Sequence, residues 1–102
     1  MSTDRPVALI TGAAKRVGAV IARRLHAAGF DLALHHRRSD DEMAALVAGL
    51  EARRPDSTLV LQAELADPSA PAALVQAVQA RFGRLDALVN NASSFRPTPV
   101  GE

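Results

Sequence analysis

Four short stretches hold nearly all the residues able to do chemistry: TGAAKRVG at 11–18, HHRRS at 35–39, AEL at 63–65 and NNASSF at 90–95. In the first, Gly12 lets the chain turn tightly with its backbone close to an anion, and Gly18 lets a following helix pack closely. The helix start between them leaves N–H groups unpaired, which suits a phosphate. Helix caps and packing glycines write the same spacing about as often. What points to a dinucleotide is the position of this stretch, directly between an apolar run and an amphipathic helix.

The second stretch leaves the next apolar run, where the adenosine ribose of a dinucleotide lies. An acidic side chain at that place accepts bonds from a 2′-hydroxyl and favours NAD. Here His35, His36, Arg37 and Arg38 stand there instead. Guanidinium groups clamp a 2′-phosphate with charge-assisted bonds, and Ser39 can add its hydroxyl and N–H, so the expected cofactor is NADP, taken up as NADPH. The alternative is a solvated basic turn ahead of an acidic first helical turn.

In the third stretch, Glu64 can accept from an adenine amino group while the N–H of Leu65 donates to a ring nitrogen; the alternative is that Glu64 simply faces solvent. In the fourth, adjacent Asn90 and Asn91 make little sense as core, whereas their amides can lock loops around a nucleotide. Ser93 and Ser94 follow at the depth of the nicotinamide. Arg16 places a charge in the same crevice or snorkels at the surface. Phe95, one of three aromatic residues, lies outside any strand or helix stripe and either stacks on a flat ligand or packs its own loop.

The elements that must position these residues follow from apolar patterning. VALI at 7–10, FDLALH at 30–35, TLVLQA at 58–63 and LDALVNN at 85–91 lack clean alternation, as in strands covered on both faces. Between them run three helical patterns. The first places Val17, Val20, Ile21, Leu25 and Ala28 on one face and ends at Gly29. The second starts at a capping box of Ser39 and Glu42 and carries Met43, Leu46, Val47 and Leu50. The third begins between Asp67 and Ala70, carries Leu74, Val78 and Phe82, and stops at Gly83. Alternation of this kind predicts an α/β, Rossmann-type doubly wound parallel sheet of about four strands, order 3-2-1-4 and incomplete. Its first and fourth strands are then neighbours whose connections leave toward opposite faces, opening a crevice at the ends that carry the four stretches.

Composition narrows the partners. The chain has 102 residues, 48% hydrophobic and 23% charged, with a formal net charge of +1. That is one small domain's worth of globular sequence, without the basic excess of a nucleic-acid-binding domain. It has no cysteine, so a disulfide framework or thiolate zinc site is impossible, and no metal site is expected. Its opening residues are too weakly apolar for a signal peptide and no run is long enough to span a membrane, so a cytoplasmic protein with no membrane partner is expected.

TGAAKRVG together with NNAS resembles the cofactor half of the short-chain dehydrogenase/reductase family, whose usual patterns are TGxxxGxG and NNAG. Within it, TGAAKRVG, HHRRS and NNASSFRPTP are similar to the pteridine reductases, which use NADPH to reduce biopterin- and folate-type rings. The resemblance implies that Arg16, where the middle glycine usually stands, contacts cofactor phosphate and helps fix the pterin, and that His36, Arg37, Arg38 and Ser39 hold the 2′-phosphate. It implies that Ser93 bonds both cofactor and pterin, and that Phe95 stacks on the pterin against nicotinamide. Gly12, Val17, Gly18, Ala63, Glu64, Leu65, Asn91 and Ala92 complete the cofactor set. Glu64 departs from the aspartate usual in these enzymes.

The family carries its chemistry on a tyrosine and a lysine four residues later. This chain has no tyrosine, and Lys15, its only lysine, belongs to the glycine-rich loop. No catalytic residue is therefore assigned within residues 1–102, which read as the amino-terminal portion of one dinucleotide-binding reductase domain, a homotetramer at full length and inactive alone. Two classes remain: an NADPH-dependent reductase of a pterin, a folate or another carbonyl substrate, and a nucleotide-binding module without chemistry.

Overall fold

The computed structural model describes residues 4–13, 16–38 and 40–91. Among these, four strands alternate with three helices: β1 (Val7–Thr11), α1 (Arg16–Ala27), β2 (Asp31–His36), α2 (Asp40–Arg53), β3 (Thr58–Gln62), α3 (Ala70–Phe82) and β4 (Ala87–Asn90). The strands are parallel in the order β3-β2-β1-β4, as expected. Register sets Ile10 beside Leu34 and Thr11 beside Asn90, so β1, β2 and β4 end level with one another.

Parallel strands need apolar cover on both faces. On one face, Ala8, Ile10, Leu32 and Leu34 meet Met43, Leu46 and Leu50 of α2 and Ala19 and Ala22 of α1. On the other, Val7, Leu9 and Ala33 meet Leu74, Val78 and Phe82 of α3. Complete burial of a side chain such as Phe82 contributes about 1.5–3 kcal/mol. α3 ends where Gly83 enters the left-handed region at φ 79° and its N–H donates to the Gln79 carbonyl over 2.8 Å. Its start is a turn closed by Asp67, whose carboxylate accepts from the N–H and hydroxyl of Ser69. The capping box expected at Ser39 lies outside the described residues.

The face of α1 differs from expectation. Val17 is 61% and Val20 48% exposed, and the buried residues are Gly18, Ala19, Ala22 and His26. Ile21 and Leu25 are only partly buried against the core. The cause is steric: a Cβ on Gly18 would stand 2.4 Å from the Gly12 carbonyl oxygen and 3.0 Å from the Ala13 Cα. α1 thus meets the first turn backbone to backbone, so small side chains fill the buried face near that contact, and a large one, His26, enters only in its last turn. Apolar periodicity sees the valines but not the closeness of approach.

At the opposite end of the sheet, polar residues close the core. Arg54 donates from Nη1 to the His26 carbonyl over 3.3 Å and from Nη2 to Asp31 over 3.2 Å. The Ser57 hydroxyl gives its one proton to the Arg54 carbonyl at 2.6 Å, so its oxygen accepts from His26 Nε2 at 2.7 Å. That proton direction makes the Ser57–His26 pair structural, since the hydroxyl is not aimed at a base.

Candidate cofactor site

The turn after β1 is fastened from both neighbouring strands. Gly12 takes φ 63°, a left-handed conformation open to glycine at little cost. Its carbonyl accepts from Asn91 Nδ2 at 3.2 Å, and the Asn91 N–H donates to the Thr11 hydroxyl oxygen at 2.9 Å. From the other side, the Gly12 N–H donates to Nδ1 of His35 at 3.1 Å, and the Ala13 N–H donates to the His35 carbonyl at 2.9 Å. The Cβ that Gly18 lacks would also stand 2.8 Å from Asn91 Nδ2. Gly12, Gly18 and Asn91, read separately from the sequence, therefore meet within one constellation.

β2 and β3 are joined at the same end. His35 Nε2 lies 2.9 Å from the Ala63 carbonyl, and the Ala63 N–H donates to the His36 carbonyl at 3.2 Å. His35 is 2% and His36 6% exposed. Burial is the largest influence on the His35 imidazole and holds it below its ordinary pKa; the Ala63 carbonyl opposes this. Beyond the strand, Arg37 and Arg38 are exposed. The two arginines differ: Arg37 Nε pairs with the Glu64 carboxylate at 2.7 Å, whereas Arg38 makes no ion pair among the described residues. Gln62 Nε2 also donates to the Arg37 carbonyl at 3.0 Å, orienting the start of that loop.

Arg16 and Val17 form the first turn of α1 and are exposed. Leu65 turns into the core against α3, with Ala63 packed beside it. Glu64 spends one carboxylate oxygen on Arg37 and the other on the Ala66 N–H at 3.2 Å. Ser39, Ala92, Ser93 and Phe95 lie outside the described residues. Among the described residues no three His, Asp or Glu side chains are grouped to hold a metal, and no helix is long and apolar enough to cross a membrane.

The sequence reading noted His35 at the strand end and Thr11 in the glycine-rich stretch but assigned neither a part in holding the turn. Strand alternation carried the signal for the first: residues 33 and 35 share a face, so His35 and His36 point to opposite sides and cannot share one task. Thr11 was signalled by its place, a hydroxyl at a strand end beside Asn90.

What the arrangement offers is a glycine turn held from both sides and leading toward a helix amino terminus, a locked strand end on one side and, on the other, a basic strand end on which Glu64 occupies Arg37 and leaves Arg38 without an ion pair among the described residues. Such an arrangement suits an anionic nucleotide at the switch point of an α/β sheet. Residues 6–102 match the family model described as short chain dehydrogenase. The chain is 47% identical to pteridine reductase 1 of Leishmania tarentolae over 97% of its length and 40% of that protein's. It is 37% identical to the 3-oxoacyl-[acyl-carrier-protein] reductase FabG of Staphylococcus aureus over 87% of its length and 36% of that protein's. The FabG of Staphylococcus epidermidis is 34% identical over 83% of the chain and 34% of that protein. The chain thus spans about two fifths of the length of the curated relatives it matches, and it belongs to the short-chain dehydrogenase family.

Proposed function

We propose that this chain is the cofactor-binding part of an NADPH-dependent reductase acting on a pteridine or dihydrofolate-type ring. The observation that carries the reading is the 47% identity to a pteridine reductase along 97% of the chain, ten percentage points above the identity to the 3-oxoacyl-[acyl-carrier-protein] reductase of Staphylococcus aureus. The basic end of β2 supports the choice of phosphorylated cofactor.

The residues present fit such a cofactor. The Gly12 turn held by Asn91, the close packing of α1 on that turn at Gly18 and the amino terminus of α1 suit a pyrophosphate. Arg38, with Ser39, would hold the 2′-phosphate, and Arg37 would contribute through a guanidinium already shared with Glu64. Arg16 would reach phosphate and the edge of the ring. Ser93 would hydrogen-bond the pterin, and Phe95 would stack on it. When bound, NADPH supplies a hydride for a conjugated C=N of the ring. The chain contains no tyrosine, so the proton donor belongs to another part of the protein. The full-length protein is read as a cytoplasmic homotetramer.

The second reading, a reductase of 3-oxoacyl groups, is favoured by the FabG relatives. Steady-state kinetics of the full-length protein with NADPH decide between them. Turnover of dihydrobiopterin or dihydrofolate, with kcat/KM reduced by Phe95→Ala, supports the proposal. Turnover of a 3-oxoacyl thioester alone overturns it in favour of the second reading, and a protein that binds NADPH without turnover is a nucleotide-binding module.

A further inference from the structure

We propose that His35 is a positioning residue for the cofactor turn: its neutral imidazole is a strut between the Gly12 N–H and the Ala63 carbonyl, and protonating it releases the turn and weakens cofactor binding. The inference rests on the NADPH reading above and adds to it a residue and a pH dependence.

The partners fix the tautomer. A backbone N–H can only donate, so Nδ1 must offer Gly12 its lone pair across 3.1 Å. A carbonyl can only accept, so Nε2 must carry the proton facing Ala63 across 2.9 Å. Both ring nitrogens are committed, and the ring is 2% exposed, so no water is free to replace either bond at low cost. The His35 carbonyl also accepts the Ala13 N–H at 2.9 Å, so a single residue orients two consecutive amides of the turn. An imidazolium would set an N–H against the Gly12 N–H, donor against donor.

The charged surroundings do not cancel this. His36 on the same strand opposes protonation of His35, Glu64 favours it, and Glu64 is itself paired with Arg37. The one titratable side chain of α3, Arg81, donates to the Asp56 carbonyl ahead of β3, at the other end of the sheet. Lys15 of the glycine-rich loop lies outside the described residues. Burial outweighs the rest, so the ring is neutral at pH 7 and takes up its proton below its ordinary value of about 6.5.

The sign separates a strut from a simple charge. An imidazolium acting only as a charge attracts the cofactor phosphates, so acidification tightens binding; a strut loses its bond, so acidification weakens it. NADPH titrations of the full-length protein between pH 7.5 and 5.5, with His35→Asn as reference, remove the titration of the 2′-phosphate itself, because it is common to both proteins. Asn can present its oxygen near the Nδ1 position and does not titrate. At pH 7.5 NADPH affinity should fall less in His35→Asn than in His35→Leu, which loses both bonds. The wild-type Kd relative to His35→Asn should rise as pH falls through the depressed His35 value, by about fivefold once the ring is protonated, about 1 kcal/mol at 1.4 kcal/mol per tenfold. A ratio that falls, or that stays flat while NMR shows His35 taking up its proton, overturns the strut while leaving the NADPH reading intact; where the ring stays neutral throughout, equal losses in His35→Asn and His35→Leu overturn it. No NADPH binding by the wild type at pH 7.5 overturns the NADPH reading instead; the strut is then judged by NMR, where the Gly12 amide must titrate with His35 and the proton must reside on Nε2. A Gly12 amide indifferent to that titration, or a proton on Nδ1, overturns it.

Discussion

Asn91, the residue after β4, donates from Nδ2 to the Gly12 carbonyl over 3.2 Å, so the ends of the first and fourth strands are tied together at the switch point of the sheet. The tie is specific to an amide, because the same residue's N–H is already engaged by the Thr11 hydroxyl. Asn91→Ala leaves the Gly12 carbonyl without this donor. A loss of about 1–3 kcal/mol in unfolding free energy is expected, the range for a partly buried polar group deprived of its partner. Urea unfolding of the full-length protein measures it, and NADPH affinity should fall in parallel because the turn is displaced.

Gly18→Ala sets two effects against each other. Alanine favours a helix interior over glycine by about 1 kcal/mol. The new Cβ would stand 2.4 Å from a backbone oxygen that cannot rotate away, and overpacking of that kind costs about 1–3 kcal/mol or more. The clash wins, and its effect falls on the turn. The variant should melt at a lower temperature and bind NADPH at least tenfold more weakly. An unchanged Kd would mean that the turn relaxes without consequence.

The course of the chain was legible because β1 and β2 are short runs centred on apolar residues and α2 and α3 obey a simple helical periodicity. Met43, Leu46 and Leu50 point inward as their spacing requires, and the cap at Gly83 lies where the apolar stripe runs out. The inward face of α1 was not legible, because it is set by the distance between Gly18 and Gly12, a relation between the backbones of a helix and a turn that no periodicity expresses. Gly12, Gly18 and Asn91 announced themselves by residue type and strand-end position. His35 did not, because a buried histidine at a strand end reads like its exposed neighbours until its face is known. The division of labour between Arg37 and Arg38 depends on Glu64, 27 positions after Arg37, and pairing across that separation becomes visible only when β3 is set beside β2.

Acid should weaken the fold in two separate windows. Burial, reinforced by Arg54, holds the His26 imidazole below its ordinary value. The unfolded chain therefore binds more protons below about pH 6.5, and the stability present above that value is lost as pH falls. The Glu51 carboxylate is held low chiefly by the Thr58 hydroxyl, with the amides of Asp56, Thr58 and Ser57 adding to it. Its contribution is present above the ordinary carboxylate value and disappears as pH falls through the depressed one. Urea unfolding free energies should decline between pH 7 and 5, less steeply in His26→Gln, and decline again below about pH 4.5, less steeply in Glu51→Gln than in wild type.

Arg37 and Arg38 should not be equivalent. Glu64 already shares the Arg37 guanidinium, and both side chains are about half exposed, so Glu64→Gln should change stability by less than about 1 kcal/mol. Arg38→Ala should reduce the preference for a 2′-phosphate more than Arg37→Ala does, by about 1.5–3 kcal/mol for loss of a charge-assisted bond. Isothermal titration of both variants with NADPH and NADH reads the difference directly.

The central claim, that the basic end of β2 receives a 2′-phosphate, is tested most directly by the dissociation constants of NADPH and NADH for the unmodified full-length protein at neutral pH. The account predicts that NADPH binds at least tenfold more tightly, about 1.4 kcal/mol. Equal constants, or tighter binding of NADH, would contradict it.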